Sequence, residues 1–426
     1  MNTLKLPVSS ILLDIGGTYV KSAVLVQEQE SPRNITKFNM PRFIENESER
    51  AVIPTAEFLA VIDQAIAIQK ESESNIDRIY VSGQMGGFVI EESGKFEIVS
   101  WQDKRSLEPE YEKERIELES LLKISATFKE TGSELRPGLP YFSLAITNPY
   151  SRNPDTLSPF RSVISFVTSY LTNFEANDMH ITDAAASGFY NLKSKAWDDE
   201  LIRKLNKSLV LPSVHIDVTR IGYSSKFGLN VFTGVGDQQA SLYGTELETG
   251  KIVVNIGTGG QVAGFQEPSQ PKGNFQVRPY FEGKEIRTIT HLPSGRALSA
   301  FVEFCFPGEH QSDKYLEFER SCQLPDLTSD IDLVDFKQTL NSLKGNSGKL
   351  TTDKISPKFF GGLIRSYEVA LSELNLEGEL LFAGGVGQKV QIISSELSRI
   401  TGRRISISKA QETTLEGLAK IARAQG

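Results

Sequence analysis

With 426 residues the chain can bury two or three substantial cores, and 39% hydrophobic against 23% charged residues marks it as globular rather than disordered or fibrous. A net charge of −8 and an isoelectric point near 5.4 argue against a nucleic-acid surface, leaving small molecules or proteins as partners. No apolar run reaches the roughly 18 to 20 residues that span a bilayer, and the N-terminus lacks a signal-peptide pattern, so no membrane partner and a cytoplasmic location are expected.

The first half is organised around Ile11 to Val26, ILLDIGGTYVKSAVLV, which reads as strand, Gly-rich turn, strand. Gly16 and Gly17 leave backbone N–H groups uncovered and Thr18 adds a hydroxyl, which suits phosphate. Asp14 places a carboxylate suited to Mg²⁺ beside such phosphates, and Lys21 adds a point positive charge. An ordinary hairpin would look the same in isolation. Ile35 to Phe38 predicts a third strand and Pro54 to Lys70 a helix. A strand from Arg78 to Ser82 runs into Gly83-Gln84-Met85-Gly86-Gly87, the place where α/β folds put ligand loops, although a tight turn reads the same way.

Val89 to Ile98 predicts a hairpin. Ser100 to Arg105, SWQDKR, is either an anchored turn or a sugar-binding group, since a ring face stacks on sugars and polar side chains bond hydroxyls. Glu108 to Ser125 has a charged helical pattern, Pro137 opens a segment with turn signals, and Phe160 to Thr172 is apolar at helical spacing. Small residues from Ala184 to Gly188, within Ile181-Thr-Asp-Ala-Ala-Ala-Ser-Gly, favour close backbone packing. A strand through Val231 to Val235 ends at Gly236, and Asp237 opens a helix. There Asp237 is either an N-cap or a catalytic carboxylate at a strand end.

Lys251 to Phe265, KIVVNIGTGGQVAGF, repeats the opening plan, with Asn255-Ile-Gly-Thr-Gly in the place of Asp14-Ile-Gly-Gly-Thr. Neither turn is a Walker A, because G-x-x-x-x-G-K-[ST] is absent. Arg287 to His291 predicts a strand and Ser294 to Phe304 a helix behind Gly295, while Ser321 to Asp353, with Gly345 to Gly348, is polar and predicted to be peripheral. Then follow a helix from Ser356 to Leu374, a buried strand Glu379 to Ala383 broken by Gly384-Gly385-Val386-Gly387, a helix from Gln388 to Ile400, a last strand Arg404 to Ser408 and a closing helix Thr413 to Ala424. Cys305 and Cys322 form no C-x-x-C pattern, and the four histidines lack metal-ligand spacing, so neither a disulfide framework nor a thiolate or imidazole metal site is expected.

In this order Asp14-Ile-Gly-Gly-Thr, Ser82-Gly-Gln-Met-Gly-Gly, Trp101-Gln-Asp-Lys-Arg, Thr182-Asp-Ala, Gly236-Asp-Gln-Gln, Asn255-Ile-Gly-Thr-Gly-Gly and Gly384-Gly-Val-Gly resemble the FGGY carbohydrate kinases over nearly the whole chain, and look most like their sedoheptulokinase branch. The resemblance implies an α/β fold of two actin-like (ribonuclease-H-like) ATPase domains with a cleft between them, residues 1–245 holding the sugar and the base and residues 246–426 the nucleotide. It implies Asp237 as catalytic base, Asp14 as the magnesium-side carboxylate, and Gln84, Met85, Gly86, Trp101, Asp103, Arg105 and Gln238 as sugar contacts. Gly16, Gly17, Thr18 and Lys21 form the first nucleotide loop, Gly257, Thr258, Gly259 and Gly295 the second, and Gly384, Gly385 and Gln388 the adenosine region. ATP and Mg²⁺ are the implied cofactors and a small sugar the partner; a homodimer is left open. Two departures stand out: the family usually has His at the place of Gly86, and the chain is short in its C-terminal half. The expected activity is phosphorylation of a primary hydroxyl of a ketose or related sugar, sedoheptulose-like or xylulose-like. The competing readings are a phosphoanhydride hydrolase on the same fold and a catalytically idle sugar sensor.

Overall fold

The structure is a computed structural model describing residues 9–26, 29–44, 50–92, 94–122, 138–147, 158–205, 209–267, 273–307, 311–344 and 351–425. It divides into two compact units: Met1–Gly244 with Val277–Glu285 and Glu412–Gly426, and Thr245–Gln276 with Ile286–Gln411. The first unit thus takes in two later segments of the chain, Val277–Glu285 and Glu412–Gly426.

In the first unit a seven-stranded sheet runs in the order Arg220–Ser224, Leu229–Phe232, Ile76–Gly83, Ser9–Ile15 (β1), Tyr19–Val26 (β2), Arg33–Asn39 (β3), with the short Val235–Gly236 paired to Ile76–Gly83. Every residue of β1 is buried, as expected of a strand covered on both faces. The helix Thr55–Ser72 (α1) buries Phe58, Ile62, Ala65, Ile66 and Gln69, one stripe at helical spacing, and joins Val163–Leu171 in one core with Ile11, Leu13 and Ile79. Gln69 Nε2 fixes α1 to the sheet by donating to Ser22 Oγ at 2.9 Å and Thr36 Oγ1 at 3.0 Å. The closing helix Thr413–Ala424 packs on β1 and on the helix Asp237–Gly244.

Register positions the functional loops. Ile15 pairs with Gly83 and Gly83 with Gly236, all in parallel, so the segments beginning at Gly16, Gln84 and Asp237 leave the sheet from one row. The strand expected through Val231 to Val235 is broken after Phe232, and in the gap Gly234 sits against the Ile164 side chain, where a Cβ would lie 2.3 Å from Cγ2.

The second unit carries Glu285–Leu292, Gly260–Gln266, Lys251–Ile256, Glu379–Ala383 and Ile405–Ile407 in that sheet order. Asn255 pairs with Ala383 in parallel, so the turn at Gly257–Gly259 and the turn at Gly384 again leave from one end of a sheet. The glycine run from Gly384 is already helical through Lys389, and a second helix, Gln391–Thr401, follows. The Ser321 to Asp353 stretch is less peripheral than expected: Leu333 is buried, and the Asp326 carbonyl sits against Gly361 of the helix Thr352–Leu374. Gly345 to Gly348 and Pro137 lie outside the described residues, as does the end of the Glu108 to Ser125 pattern, whose helix is described as Glu112–Leu122.

Candidate active site

The first turn closes with the Gly16 amide donating to the Tyr19 carbonyl at 3.0 Å, which leaves Gly17 and Thr18 exposed. Gly17 faces the Trp101 Nε1, Gln102 Nε2 and Gln84 Oε1 atoms, so the first glycine turn, the 84–87 loop and the SWQDKR turn meet at one place. Gln84 is 3% exposed, and neither its Oε1 nor its Nε2 has a partner among the described residues. Met85 packs its sulfur over Gly236. Gly86 takes φ +80, with Trp101 and Leu139 in ordinary van der Waals contact with the place of a Cβ, so glycine there meets a backbone requirement.

Asp103 and Arg105, expected as sugar contacts, anchor this loop. Asp103 Oδ1 accepts from the Arg105 amide at 3.0 Å and Nε at 2.8 Å, and Oδ2 accepts from the Ala51 amide at 2.8 Å and Arg105 Nη2 at 3.1 Å. Both side chains are buried, and Arg105 also reaches Glu97 at 3.0 Å. Their polar capacity goes into the turn that presents Trp101 and Gln102.

Asp237 opens its helix, and its Oδ1 accepts the Gln238 amide at 2.8 Å. Burial pushes its carboxyl up to about 6 against the opposing effects of the Gln238 amide and the Arg278 guanidinium. Arg278 Nη1 donates to Gln238 Oε1, so the Val277–Glu285 return brings a cation to this helix. The Gly236 amide donates to Thr182 Oγ1 at 3.0 Å, which ties the turn before Asp237 to the Thr182-Asp183 step. Burial also pushes Asp183 to about 7, with Ser162 opposing and Asp237 adding to the rise.

Asp14 is 4% exposed and its Oδ1 has no partner among the described residues. Burial raises it to about 7; Lys21 opposes this, whereas Asp237 and Glu412 add to it. Lys21 Nζ lies 3.8 Å from Asp14 and 2.8 Å from Glu412, so its charge is shared with a carboxylate from the closing segment. Glu412 also pairs with Lys37 at 2.5 Å.

In the second unit the Gly295 amide donates to the Gly257 carbonyl at 2.9 Å, and Ser294 Oγ donates to the Thr258 carbonyl at 2.7 Å. The helix Gly295–Cys305 thereby braces a turn whose Thr258 and Gly259 remain exposed. Gly384, at φ +77, sits against Asn255 and the Ile256–Gly257 backbone, while nothing stands within 4 Å of a Cβ at Gly385. Gln388 donates from Nε2 to the Ser408 and Ala410 carbonyls, each at 2.8 Å. Its Nε2 therefore holds the 408–410 loop.

Arg278 and Glu412 belong to this neighbourhood without having been expected there, and Asp183, Gln102 and Gln239, which stand in the motifs named above, join it without having been given a site role. Asp183 had a signal: it is the lone charge in a small, apolar run. Arg278 and Glu412 had none, because long-range chain return brings them in.

These features, two glycine-turn hairpins each at the end of a mixed sheet and a half-buried carboxylate at a helix start, are those of an actin-like fold. Residues 10–244 match the N-terminal domain of the FGGY family of carbohydrate kinases, and the chain belongs to that family as a carbohydrate kinase. It is similar to a sedoheptulokinase of Mus musculus, 24% identical over 356 residues, covering 72% of this chain and 71% of that protein. It is also similar to a gluconokinase of Bacillus subtilis, 26% identical over 266 residues, covering 59% and 50%. In fold it resembles a xylulose kinase from Rhodospirillum rubrum, with TM-score 0.81 and 15% identity over 98% of this chain and 90% of that one. Among the described residues no helix is long and apolar enough to cross a membrane.

Proposed function

We propose that the chain transfers the γ-phosphoryl group of ATP to a primary hydroxyl of a ketose or related sugar, sedoheptulose-like or xylulose-like, with Asp237 as general base. The observation that carries this reading is Asp237 itself: a half-buried carboxylate, raised by desolvation to about 6, beginning a helix in the same sheet row as the Gly16–Thr18 turn. In the proposed step the sugar oxygen bonds to the γ-phosphorus as the bond from that phosphorus to the β,γ-bridging oxygen breaks. Asp237 takes the hydroxyl proton and ADP leaves. Backbone N–H groups of Gly17 and Thr18 and the Thr18 hydroxyl donate to phosphate oxygens, with Gly257 to Gly259 as the second phosphate-directed turn and Gly384–Gly385 as the nucleoside seat. Trp101, Gln84, Met85 and Gln238 face the sugar, held by the Asp103–Arg105 anchor.

The residues also fit Mg²⁺. A buried carboxylate oxygen without a partner at Asp14 suits a cation, and the lack of a cluster of three or more His, Cys, Asp or Glu among the described residues suits an ion that keeps waters and substrate phosphates as its other ligands. When bound it would neutralise phosphate charge. Asp14→Asn should then abolish the rise in melting temperature that Mg²⁺ with a non-hydrolysable nucleotide produces; an undiminished rise would place the ion elsewhere.

The test of the whole reading is a coupled ADP-release assay across pentuloses, hexuloses, heptuloses and polyols. Sugar-dependent ADP release is expected with at least one ketose. Release that ignores the sugar would instead point to hydrolysis, and none with any member would point to a sensor.

A further inference from the structure

Asp183 has no task in the reaction as written, and its surroundings are not those of a structural carboxylate. It is 2% exposed, its Oδ2 accepts from Ser162 Oγ at 2.5 Å, and its Oδ1 has no partner among the described residues. Asp103 supplies the internal contrast, since both of its oxygens are filled by the Ala51 amide and by Arg105. A buried acceptor left open in a folded protein calls for an explanation, and a bound ligand is one.

The chain also ties the Thr182-Asp183 step to the turn before Asp237. Ser162 caps the helix Val163–Leu171 in a reciprocal box with Ser165, which fixes the hydroxyl that Asp183 grips. Thr182, its neighbour, exchanges a 2.8 Å hydrogen bond with His180 Nδ1 and receives the Gly236 amide at 3.0 Å. The Asp237 charge is felt at Asp183, Met85 lies on Gly236, and Gln84 and Gln239 Oε1 are buried and likewise unpartnered among the described residues. Several open acceptors and one open amide N–H within one neighbourhood match a ligand rich in O–H groups, each able both to donate and to accept.

We propose that Asp183 is a second acceptor-binding carboxylate, whose Oδ1 takes a hydrogen bond from a sugar hydroxyl other than the one that is phosphorylated. This rests on the sugar-kinase reading above. Asp237 handles the reacting oxygen and Asp183 fixes the carbon chain behind it, so Asp183 governs which hydroxyl pattern is accepted.

The experiment compares wild type with Asp183→Asn and Asp183→Ser on the best acceptor of the panel and on its monodeoxy analogues, after each variant is shown to melt cooperatively. Wild type should lose efficiency on one particular deoxy analogue. In either variant the acceptor KM should rise about 10- to 100-fold, the scale of a lost hydrogen bond to a charged group, with the ATP KM within about twofold of wild type. The same deoxy analogue should then be no worse than the parent sugar. An acceptor KM that stays within about twofold of wild type, or an equal penalty on every analogue, overturns the inference alone. Wild type that phosphorylates no sugar overturns the acceptor reading and this inference with it. If the Asn variant does not fold, the Ser variant is read by the same criteria.

Discussion

Asp237, Asp14 and Asp183 share one property, a carboxyl raised by burial, and it has two consequences of opposite kind. As a base Asp237 must be ionised, so kcat/KM should fall about tenfold per pH unit below a bend near 6 instead of near the ordinary carboxylate value. Asp237→Asn should lower kcat by about 10² to 10⁴ while leaving the ATP KM nearly unchanged, and a variant that keeps most of its turnover would reduce Asp237 to a helix cap. For stability the sign reverses. A carboxyl whose folded pKa lies above its unfolded one binds more protons when folded, so its contribution is fully present below about pH 4 and is lost as pH rises through about 6 for Asp237 and 7 for Asp14 and Asp183. The three influence one another and titrate as a set. The ligand-free protein should therefore melt at progressively lower temperature between pH 5 and 8, and Asp14→Asn should flatten that slope; a melting temperature that rises across the window would contradict the burial argument. The same residues show what sequence reading can reach. Asp14 and Asp237 stand at strand ends beside glycines and could be singled out from position, whereas Asp183 carried only its place in the Thr182-Asp-Ala motif and Asp103 read equally as a turn anchor or a sugar ligand. Which carboxylate is filled by Arg105 and which is left open is decided by side-chain partners, and residue type alone does not specify them.

Elements were more legible than their ends. Periodicity placed α1, Val163–Leu171 and the closing helix, because each has an apolar stripe, and the two glycine-turn hairpins were visible as repeats. The seat of Gly234 on Ile164 and the packing of Asp326 on Gly361 were not, since each depends on a close approach by a distant segment. One such approach supports the proposed base directly. The helix Asp237–Gly244 meets the closing helix backbone to backbone: a Cβ at Gly417 would lie 1.8 Å from the Ala240 carbonyl oxygen, and one at Gly244 1.8 Å from that of Thr413. Two helices at this distance leave no flexible side chain to yield. Gly417→Ala should thus cost about 1 to 3 kcal/mol of stability, or force the helices apart and lower kcat by moving Asp237. Gly385→Ala, which meets nothing within 4 Å, should leave the melting temperature unchanged and register only in nucleotide KM. Equal melting temperatures for both variants would refute the close-packing account.

At the scale of the molecule, the division near residue 245 came from the family resemblance, and the repeat of the strand-turn-strand plan says only that the chain has two halves. The return of Glu412–Gly426 to the first unit was not legible, because an amphipathic helix announces that it has a buried face without saying what covers it. Its buried residues Leu415, Leu418, Ala419 and Ala422 form such a face, and Glu412 carries the ion pair to Lys21. An excised 1–244 fragment, although it ends at a compact boundary and spans the family match, lacks that helix and so leaves its seat on β1 and on Asp237–Gly244 uncovered. It should be aggregation-prone, with far-UV circular dichroism and size-exclusion chromatography showing loss of a cooperative monomeric fold. Joining residues 412–426 to it through a flexible Gly/Ser linker should restore cooperative melting, and doing so with Gly417→Ala in the added helix should restore it less well. A 1–244 fragment that melts cooperatively as a monomer would show that the closing helix is dispensable to the first unit, and that Asp237 is held by the sheet row of Ile15, Gly83 and Gly236 alone.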